Sequence, residues 1–431
     1  MTHFGILCPG AATGPLNTML PLGQELQRRG HQVTLFGTPE TQPKTLAAGI
    51  DSCPIGVAEF PMGSGAAVMS KLGQLQGLAA LRYTIEVLKD LSTVMLQEAP
   101  AAIQSAGVDA LLVNQGVSEG GTIADHLQLP FVTVCSAVVL NREPTIPPFC
   151  TDWSYSPAWW ARVRNQLAYA MIGQIAQPIR VLIAEYRRAW KLPPYASPND
   201  SYSPLAQLSQ APAEFEFPRQ QLPPWFHFTG TYHTPASRIP VPFPDEQLTG
   251  QPLIYASMGT LQNRLQWVFE AIAAACEGLD AQLVISLGGS AKPESLPNLP
   301  GNPLVVEYAP QLEVLKKATL MITHAGMNTT MECVQQGVPM VAIPVTNDQP
   351  GVAARIAWTG AGQFIPLRQL NAARLRNAVQ QVLTQDSYKQ QALRLQAATH
   401  RAGGVRRAAD IIEQAVSTGK PVLASAANQP G

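Results

Sequence analysis

Short apolar runs of about five residues recur along the chain and alternate with longer segments in which apolar residues return at helical spacing. The short runs are typical of strands buried on both faces of a parallel sheet, and the longer segments are typical of amphipathic helices. Residues 4–8 form the first predicted strand, residues 16–29 the first helix and residues 31–36 the second strand. The chain therefore begins with a βαβ unit.

The same alternation continues through the first half of the chain. A mostly helical segment is predicted at residues 71–104, interrupted at Pro100. Strands are predicted at residues 110–113 and 130–134, with a helix at 120–127 between them. Strands that alternate with helices in this way indicate a doubly wound α/β sheet.

A second set of strands and helices follows a proline-rich segment at residues 235–252, which we interpret as a linker. Strands are predicted at residues 253–256, 283–286, 304–306, 318–322 and 340–343. Helices are predicted at residues 266–278, 352–360, 372–383, 386–400 and 404–417. The second half therefore predicts another parallel sheet, and the length of the chain suits two domains.

Composition narrows the classes of protein that fit this pattern. The chain of 431 residues holds 29 basic and 29 acidic residues, so its formal charge is zero and nothing favours a nucleic-acid partner. Only 13% of the residues are charged, against about a quarter in typical proteins, which indicates extensive apolar area in the interior, on the surface or both. Six cysteines without metal-ligand spacing are interpreted as buried thiols in a reducing compartment.

The N-terminus and the lengths of the apolar runs bear on location. The first residues run directly into a predicted strand and lack the basic start and cleavage site of a signal peptide. No uninterrupted apolar stretch approaches the length of a membrane span. We therefore expect a cytoplasmic protein that is soluble or attached peripherally to a membrane.

One segment, residues 323–332, combines a small-residue turn with the features of a helix start. Thr329 and Glu332 have the spacing of a capping box, so we predict that a helix begins near Asn328. A helix N-terminus that follows a buried strand presents free N–H groups to an anion, and His324 would add another donor. The alternative is an ordinary βαβ unit, in which Glu332 only caps the helix and His324 is structural.

The wider pattern around this segment closely resembles a signature of family 1 glycosyltransferases, which use nucleotide-activated sugars. The matching runs are YAPQ at 308–311, THAGMNTTME at 323–332, GVPM at 337–340 and DQ at 348–349. Several matches in a fixed order make a much more specific signal than one glycine motif. The run DQPGVAAR at 348–355 is similar to bacterial zeaxanthin and macrolide glucosyltransferases.

The resemblance implies a fold class: α/β, with two Rossmann-like, doubly wound parallel-sheet domains that face each other, the GT-B type. It implies an acceptor-binding domain at residues 1–234, the linker at 235–252 and a nucleotide-sugar-binding domain at 253–400. A helix at residues 401–418 would return to the N-terminal domain. Residues 419–431 are expected to be a flexible tail.

The resemblance also implies a site for UDP-glucose or a related UDP- or TDP-sugar. The ring of Tyr308 would stack on the base, and the Ala309 backbone would pair with the base edge. Gln311 and Glu332 would hold the ribose hydroxyls. The phosphates would be held by Ser257, Gly259, Thr260, His324, Gly326, Asn328 and Thr329.

Asp348 and Gln349 would hold the hexose hydroxyls, and the alternative is that they only cap a loop. The sequence presents no Asp-x-Asp site, so we expect neither a metal nor a cofactor beyond the donor sugar itself. The helix dipole and hydrogen-bond donors would carry the charge of the leaving phosphate.

Inverting members of the family use a histidine just after the first strand as general base, oriented by an aspartate at the end of a later strand. The corresponding positions here are Pro15 and Asn114. Proline cannot accept a proton, and asparagine cannot stabilise an imidazolium. Both members of the pair are missing, and the catalytic residues remain unassigned at this point.

This loss leaves three hypotheses open. In the first, the chain is a glycosyltransferase with another base, for which Glu119, Asp125 and His126 are candidates, or with an acceptor acidic enough to need none. Asp125 and His126 could equally lie on the solvated face of a helix. In the second, the chain is a pseudoenzyme that binds a nucleotide sugar or an apolar ligand. In the third, it is another two-domain enzyme such as a sugar-nucleotide epimerase, although residues 308–349 match transferases better.

Aromatic residues and prolines are concentrated between residues 141 and 225, and residues 158–190 have the spacing of one or two amphipathic helices. The simplest interpretation is that these helices cover the sheet. The alternatives are an acceptor pocket or a membrane-facing surface, because Trp159 and Trp160 lie beside arginines, as at a bilayer interface.

The low charge also bears on the acceptor. A wide apolar cleft built from residues 60–100 and 141–190 would favour a lipophilic alcohol such as a carotenoid, a polyketide or a sterol. The expected partners are therefore a nucleotide sugar and a lipophilic small molecule, with no nucleic acid and with possible peripheral contact to a membrane.

Overall fold

The computed structural model describes residues 1–8, 13–75, 77–233, 241–259, 265–289, 292–296 and 298–425. These residues form two parallel β-sheets, one of seven strands and one of six, and helices flank both sheets. The predicted α/β class with two doubly wound domains is confirmed.

The N-terminal sheet has the strand order β3-β2-β1-β4-β5-β6-β7, and every neighbouring pair is parallel. Its strands are β1 His3–Leu7, β2 Gln32–Gly37, β3 Asp51–Pro54, β4 Ala110–Asn114, β5 Phe131–Cys135, β6 Gln207–Ser209 and β7 Phe226–Phe228. The central strands lie where the apolar runs predict them. The pattern misses β3, which is only partly buried at the sheet edge, and β6 and β7, which are three residues long.

The helices of this domain pack on both faces of the sheet. They are α1 Thr13–Arg28, α2 Gln42–Ala47, α3 Ser64–Gln74, α4 Gly77–Ser105, α5 Gly120–Leu127, α6 Trp159–Ile175 and α7 Gln177–Ala189. The predicted interruption at Pro100 is wrong, because α4 continues through it. Ala99 and Ile103, on either side of Pro100, are buried in the core, and this packing outweighs the one backbone hydrogen bond that proline cannot make.

The C-terminal sheet has the order β10-β9-β8-β11-β12-β13 and is also fully parallel. Its strands are β8 Leu253–Ser257, β9 Gln282–Ser286, β10 Leu304–Val306, β11 Ala318–Thr323, β12 Met340–Ala342 and β13 Gly362–Phe364. Its helices are α8 Gln266–Cys276, α9 Gln311–Lys317, α10 Met327–Gln336, α11 Gln349–Trp358, α12 Ala372–Thr384 and α13 Asp386–Ala402. The short elements α9 and β13 are absent from the sequence prediction.

The last helix, α14 Gly404–Thr418, lies on the N-terminal domain. Its buried face, which includes Ile411 and Ile412, packs in the same apolar core as α1. Arg29 at the end of α1 donates to Glu413 at 2.6 Å, and the ring of His31 lies 2.9 Å from the same carboxylate. The chain thus crosses back from the second domain to the first after α13.

The C-terminal edges of the two sheets face each other. Asn328 in the first turn of α10, which follows β11, donates to the carbonyl of Gly14 in α1, which follows β1, at 2.7 Å. Gly351 in α11 lies so close to the carbonyl of Phe149 that a β-carbon on Gly351 would overlap it. Because ligands of parallel sheets bind at the carboxyl ends of the strands, the space between the two edges is where a site is expected.

Among the described helices, one pair alone has the length and hydropathy of a membrane span. No single helix among the described residues is both long and apolar enough to cross a bilayer. Only α6 and α7 taken together meet that length and hydropathy, and they are bent relative to each other by 65°.

Candidate functional site

The turn between β11 and α10 is built from small residues. Ala325 is buried with a left-handed backbone (φ 64°), and Gly326 is the residue before the first turn of α10. The helix begins at Met327, close to the predicted Asn328. The predicted capping box is wrong: no side chain caps this helix, and Glu332 instead bonds to a side chain of the neighbouring helix α9. The N–H groups of the first turn are therefore left for a ligand.

His324 lies in this turn with its ring between two glycines. A β-carbon at Gly259 or at Gly326 would overlap the imidazole, so both positions require glycine for the ring to fit. Burial lowers the pKa of His324 to about 4. The imidazole is therefore neutral at pH 7 and carries no positive charge, and its single N–H is shared between the Ser257 backbone and any phosphate bound here.

Four polar side chains form a buried cluster beside the turn. The amide of Gln311, at the start of α9, donates to Thr329 Oγ1 at 3.2 Å and to the carboxylate of Glu332. Tyr255 in β8 donates its hydroxyl to Gln311 Oε1 at 3.4 Å. Glu332 itself is fully buried. Three of the predicted donor-site residues, Gln311, Thr329 and Glu332, are thus brought together, and their oxygens are the kind that accept from sugar hydroxyls.

Tyr308 and Ala309 precede this cluster along the chain. The ring of Tyr308 is 39% exposed and lies beside Gly289 in the turn after β9, whereas Ala309 is buried. An exposed aromatic face next to a turn without a side chain leaves room for a flat base.

Asn328 makes more contacts to the opposite domain than the sequence suggests. Its side-chain oxygen accepts from Thr18 Oγ1 at 3.2 Å, from Gln210 Nε2 at 3.1 Å and from His233 Nε2 at 3.0 Å. Its nitrogen donates to the Gly14 carbonyl. The predicted phosphate contact of Asn328 would have to be made in addition to these bonds or in place of some of them.

The predicted hexose-binding pair lies at the start of α11. Gln349 is buried, and its oxygen accepts from the backbone amides of Val345 and Thr346 at 2.8 and 3.0 Å. Burial raises the pKa of Asp348, although the backbone N–H of Val138 in the opposite domain partly offsets that effect. The loop-capping alternative therefore accounts for the oxygen of Gln349, while its amide N–H groups remain available as donors.

The turn after β8 carries the remaining predicted phosphate contacts. The hydroxyl of Ser257 accepts from the backbone amide of Gly259 at 3.3 Å, and Gly259 has a left-handed backbone (φ 71°). Ser257 is buried. Thr260 lies outside the described residues.

The two positions that the resemblance assigns to the catalytic pair, Pro15 and Asn114, each suit their local structure. Pro15 lies in the first turn of α1, where a missing N–H costs nothing. Asn114 ends β4, donates to Ser136 Oγ at 2.8 Å and accepts from the Gly116 amide at 3.0 Å. The side chain of Asn114 therefore holds together the turns that follow β4 and β5.

Comparisons with known proteins agree with this geometry. Residues 66–406 match the family described as UDP-glucoronosyl and UDP-glucosyl transferase. The chain belongs to this glycosyltransferase family. It is 32% identical to the zeaxanthin glucosyltransferase of Pantoea ananas, with 98% of both chains covered, and 30% identical to that of Pseudescherichia vulneris, with 98% of this chain and 100% of the relative covered.

Solved structures share the fold. The glycotransferase of kitacinnamycin superposes with a TM-score of 0.73 at 22% identity, covering 96% of this chain and 98% of the other. The glycosyltransferase VinC in complex with dTDP gives 0.69 at 16% identity, covering 97% and 100%. The protein is thus a UDP-glycosyltransferase with the predicted GT-B fold.

The three predicted substitute bases of this glycosyltransferase differ sharply in their surroundings. Asp125 accepts from Arg187 at 2.7 Å, and His126 stacks on Trp190 with ring centroids 3.9 Å apart. Both side chains are therefore engaged in packing α5 against α7 and its C-terminal end.

Glu119, in contrast, is buried beside a cavity of about 20 Å³. Residues that line the cavity include Cys8, Ser92, Met95, Gly116, Glu119 and Ile179. Ser92 Oγ donates to Glu119 Oε2 at 2.8 Å, and burial raises the pKa of the Glu119 carboxyl to about 7. A carboxyl group with this pKa can both accept and release a proton near neutral pH.

Sequence reasoning missed the residues that join the two domains at the site. Thr18, Gln210 and His233 contact Asn328 from positions 95 to 310 residues away in sequence, and no local pattern marks them. Arg355 lies in the run at 348–355, which indicates the family but gives no sign of a contact between domains. It is fully buried and bonds to Glu216 of the N-terminal domain.

Proposed function

We propose that this glycosyltransferase transfers a hexose from a UDP-sugar to a hydroxyl of a lipophilic small molecule of the carotenoid type. The observation that carries the proposal is the end-to-end similarity to two zeaxanthin glucosyltransferases. The alignments cover both the acceptor and the donor domain, so the similarity is not confined to the shared nucleotide-sugar site. The low charged fraction of the chain also supports an apolar acceptor.

The donor would bind with its base on Tyr308 and its ribose hydroxyls against Gln311 and Glu332. The diphosphate would lie at the free N–H groups of the first turn of α10, with neutral His324 as a further donor. The hexose would then lie near Asp348 and Gln349, between the two sheet edges. A helix N-terminus and neutral donors stabilise a leaving phosphate without a metal.

We further propose that Glu119 replaces the missing histidine as general base. Its cavity is lined by Cys8 just after β1 and by Gly116 just after β4, the strand ends that carry the family's base and orienter. In this mechanism Glu119 removes the proton of the acceptor hydroxyl, the oxygen attacks the anomeric carbon, and UDP leaves from the opposite face. The configuration at that carbon is inverted.

Donor binding is tested by calorimetry with UDP and with UDP-glucose. Glu332→Gln should weaken UDP binding at least about tenfold, because a buried charge-assisted hydrogen bond is worth about 1.5–3 kcal/mol. The matched control is Glu313→Gln on the exposed surface of α9, which should leave the affinity unchanged. Equal affinities in the two variants would rule out the assigned ribose site.

The base is tested by steady-state transfer of glucose to zeaxanthin. Glu119→Gln should lower kcat roughly 100- to 10,000-fold, the usual contribution of a general base, with UDP affinity unchanged. Asp125→Asn, in helix α5 that begins directly after Glu119, is the control and should retain most of the activity. Full activity in Glu119→Gln would show that another group removes the proton.

Binding without catalysis is the second candidate function, and the presence of Pro15 and Asn114 favours it. A protein with this function would bind UDP normally but would neither transfer glucose to any lipophilic alcohol nor hydrolyse the donor. Single-turnover assays with excess enzyme separate the two functions, because they detect transfer even when product release is slow.

A further inference from the structure

An exposed apolar stripe runs along helix α6. Its large side chains are between 45% and 78% exposed, and they are Trp159, Trp160, Val163, Leu167 and Met171. Four of them are spaced four residues apart and therefore lie on one side of the helix. The buried side consists of the small or polar residues Ala161, Asn165 and Gly173. A helix that only covered a sheet would have the opposite arrangement.

The exposed apolar side chains of this protein are concentrated on α6 and are not scattered evenly over the surface. Together with Val181 of α7, it contains six of the fifteen large apolar side chains that are exposed in the described part of the chain. Single exposed apolar residues are normal on protein surfaces, whereas contiguous ones mark a surface that binds another protein, a ligand or a membrane.

The charged residues of helix α6 itself are all basic. Between Asp152 and Glu185 the sequence has no acidic residue but contains Arg162, Arg164 and Arg180. At helical spacing, Arg162 and Arg164 fall on opposite flanks of the stripe. The guanidinium of Arg164 also lies 5.5 Å from the ring of Trp160. Because the whole chain has no net charge, this basic patch is local.

We propose that this surface, defined by residues 159, 160, 163, 167, 171 and 181 and called here the α6 face, docks on an anionic lipid bilayer. Tryptophan and leucine side chains enter the boundary between headgroups and acyl chains, while flanking arginines pair with lipid phosphates. A second copy of this chain is a poorer occupant, because a symmetric dimer would oppose the α6 face to itself and bring like-charged arginines together.

The position of the α6 face in the fold connects it with the site. Helix α6 follows directly on the segment that contacts α11 of the donor domain. In that segment Phe149 lies against Gly351, and the ring centroids of Tyr155 and Trp358 are 5.3 Å apart. Docking would therefore hold the cleft close to the bilayer. If the proposed lipophilic acceptor is correct, it could reach the cleft from the membrane without crossing water.

Sedimentation with lipid vesicles tests the proposal on the full chain, without sugar or acceptor. Binding should be at least about tenfold stronger to phosphatidylcholine mixed with phosphatidylglycerol than to pure phosphatidylcholine, and high salt should weaken it. Trp159→Ser combined with Leu167→Ser should lower binding at least about tenfold. The control of the same composition is Trp267→Ser combined with Leu393→Ser, two exposed apolar side chains elsewhere, which should bind as the unmodified chain does.

Two results would overturn the proposal: vesicle binding unchanged in the α6-face variant, or binding that does not depend on phosphatidylglycerol. A dimer in sedimentation velocity that dissociates in this variant would assign the face to a second copy. Arg162→Gln with Arg180→Gln gives an independent readout, since it should remove only the dependence on anionic lipid. Thermal unfolding and UDP binding verify that each variant is folded. Vesicle binding needs no transfer activity, so its failure leaves the proposed function intact, and the reverse also holds.

Discussion

Glu119 illustrates how one carboxyl group can be costly for folding and useful for catalysis. Among the described residues, Ser92 is the only side chain that donates to the Glu119 carboxylate, which also bonds to its own backbone. The apolar side chains of Met95 and Ile179 line the same cavity. Such an environment disfavours the charged form, which is why burial raises its pKa to about 7. Natural proteins retain a destabilising group of this kind mainly where it is needed.

This reasoning predicts a pH-dependent stability difference for Glu119→Gln. The folded pKa of about 7 exceeds the ordinary value of 4.5, so the native state binds more protons and its stability falls as pH rises between those values. The loss amounts to about 3 kcal/mol at pH 8. Glutamine keeps an acceptor for Ser92 without the charge, so the variant should gain about that much over the unmodified chain at pH 8 and little at pH 4.

Urea unfolding at the two pH values measures this difference, with Glu313→Gln as the exposed control that should show none. A variant that is equally stable relative to the unmodified chain at both pH values would mean that Glu119 is ionised in the folded protein at little cost. Such a result would also remove the physical reason for regarding it as a base.

A second prediction concerns the restoration of the family's base and orienter at positions 15 and 114. Aspartate at 114 can still accept from the Gly116 amide, and the Ser136 hydroxyl can rotate to donate to it. In a Glu119→Gln background, Pro15→His alone should restore little transfer, because the imidazole lacks its orienter, and Asn114→Asp alone should restore less. Together they should raise kcat at least about tenfold above the product of the single effects, since the two act as a unit.

The measurement is a double-mutant cycle on glucose transfer, with calorimetry to verify that UDP binding persists. Simple additivity of the two substitutions would mean that the side chains at 15 and 114 do not meet. In that case the register of the resemblance at these positions would be wrong.

Residue roles were predictable from sequence only where a strong local pattern carried them. The small-residue turn at 324–326 and the clustering of Gln311 with Glu332 follow from runs that are close in sequence. The four partners of Asn328 come from three separate segments, and which of them meet is decided only when both domains have folded. The capping box fails for a related reason, because a buried carboxylate bonds to the nearby amide of Gln311 instead of a backbone N–H.

At the scale of elements, α11 links the donor site to the opposite domain. The helix begins at Gln349, directly after Asp348. Further along it, Arg355 donates to Glu216 at 2.8 Å. Burial alone would raise the pKa of Glu216, but Arg355 and Arg219 hold it below its ordinary value. The position of the proposed hexose contacts is thereby tied to the N-terminal domain.

This link predicts unequal costs for breaking two ion pairs. Arg355→Met should destabilise the protein by about 3–5 kcal/mol, because it leaves the Glu216 carboxylate buried with Arg219, whose Nε lies 3.6 Å away, as its remaining cationic partner. The charge-neutral pair Arg355→Met with Glu216→Gln should recover part of that loss. Arg401→Met breaks the exposed pair with Glu214, which joins the same two regions of the chain, and should cost less than about 1 kcal/mol.

Urea unfolding of the four proteins provides the comparison. Equal losses of stability in Arg355→Met and Arg401→Met would mean that the buried pair stabilises the protein no more than the exposed pair does. Because the pKa of Glu216 is lowered, the contribution of this pair should persist above its ordinary pKa of 4.5 and disappear as the pH falls below it.

Elements were predictable from sequence in proportion to their burial and length. The five-residue strands at the sheet centres are mostly apolar and buried, and their positions match the prediction within a residue or two. Three-residue strands such as β6 and β13 carry too few positions to show a period. Helix α4 shows the converse, because packing in the core maintains a helix that the local rule for proline interrupts.

At the scale of the molecule, the two domains meet through a few close contacts. Asn328 contacts α1 and the end of the N-terminal domain, α11 contacts the segment that precedes α6, and α14 returns to α1. The two-domain organisation was predictable from alternation, a proline-rich linker and the resemblance. The fit between the domains was not, because it depends on close approaches such as the one at Gly351.

Gly351 therefore offers a test of how far sugar transfer depends on domain closure. A β-carbon there would overlap the carbonyl of Phe149, so Gly351→Ala should hold the domains apart. The proposed UDP contacts lie on one domain, so UDP affinity should change less than about threefold. Transfer requires acceptor and hexose in register across the cleft, so kcat should fall at least about tenfold, since a misplacement of about 1 Å can cost a hundredfold.

Gly173→Ala is the control, because Gly173 also lies in a helix but a β-carbon there would have its nearest neighbour at an ordinary 3.4 Å. This variant should leave both UDP affinity and kcat unchanged. Small-angle scattering should show a larger radius of gyration for Gly351→Ala alone, and undiminished transfer by that variant would mean that the contact at Phe149 yields without opening the cleft.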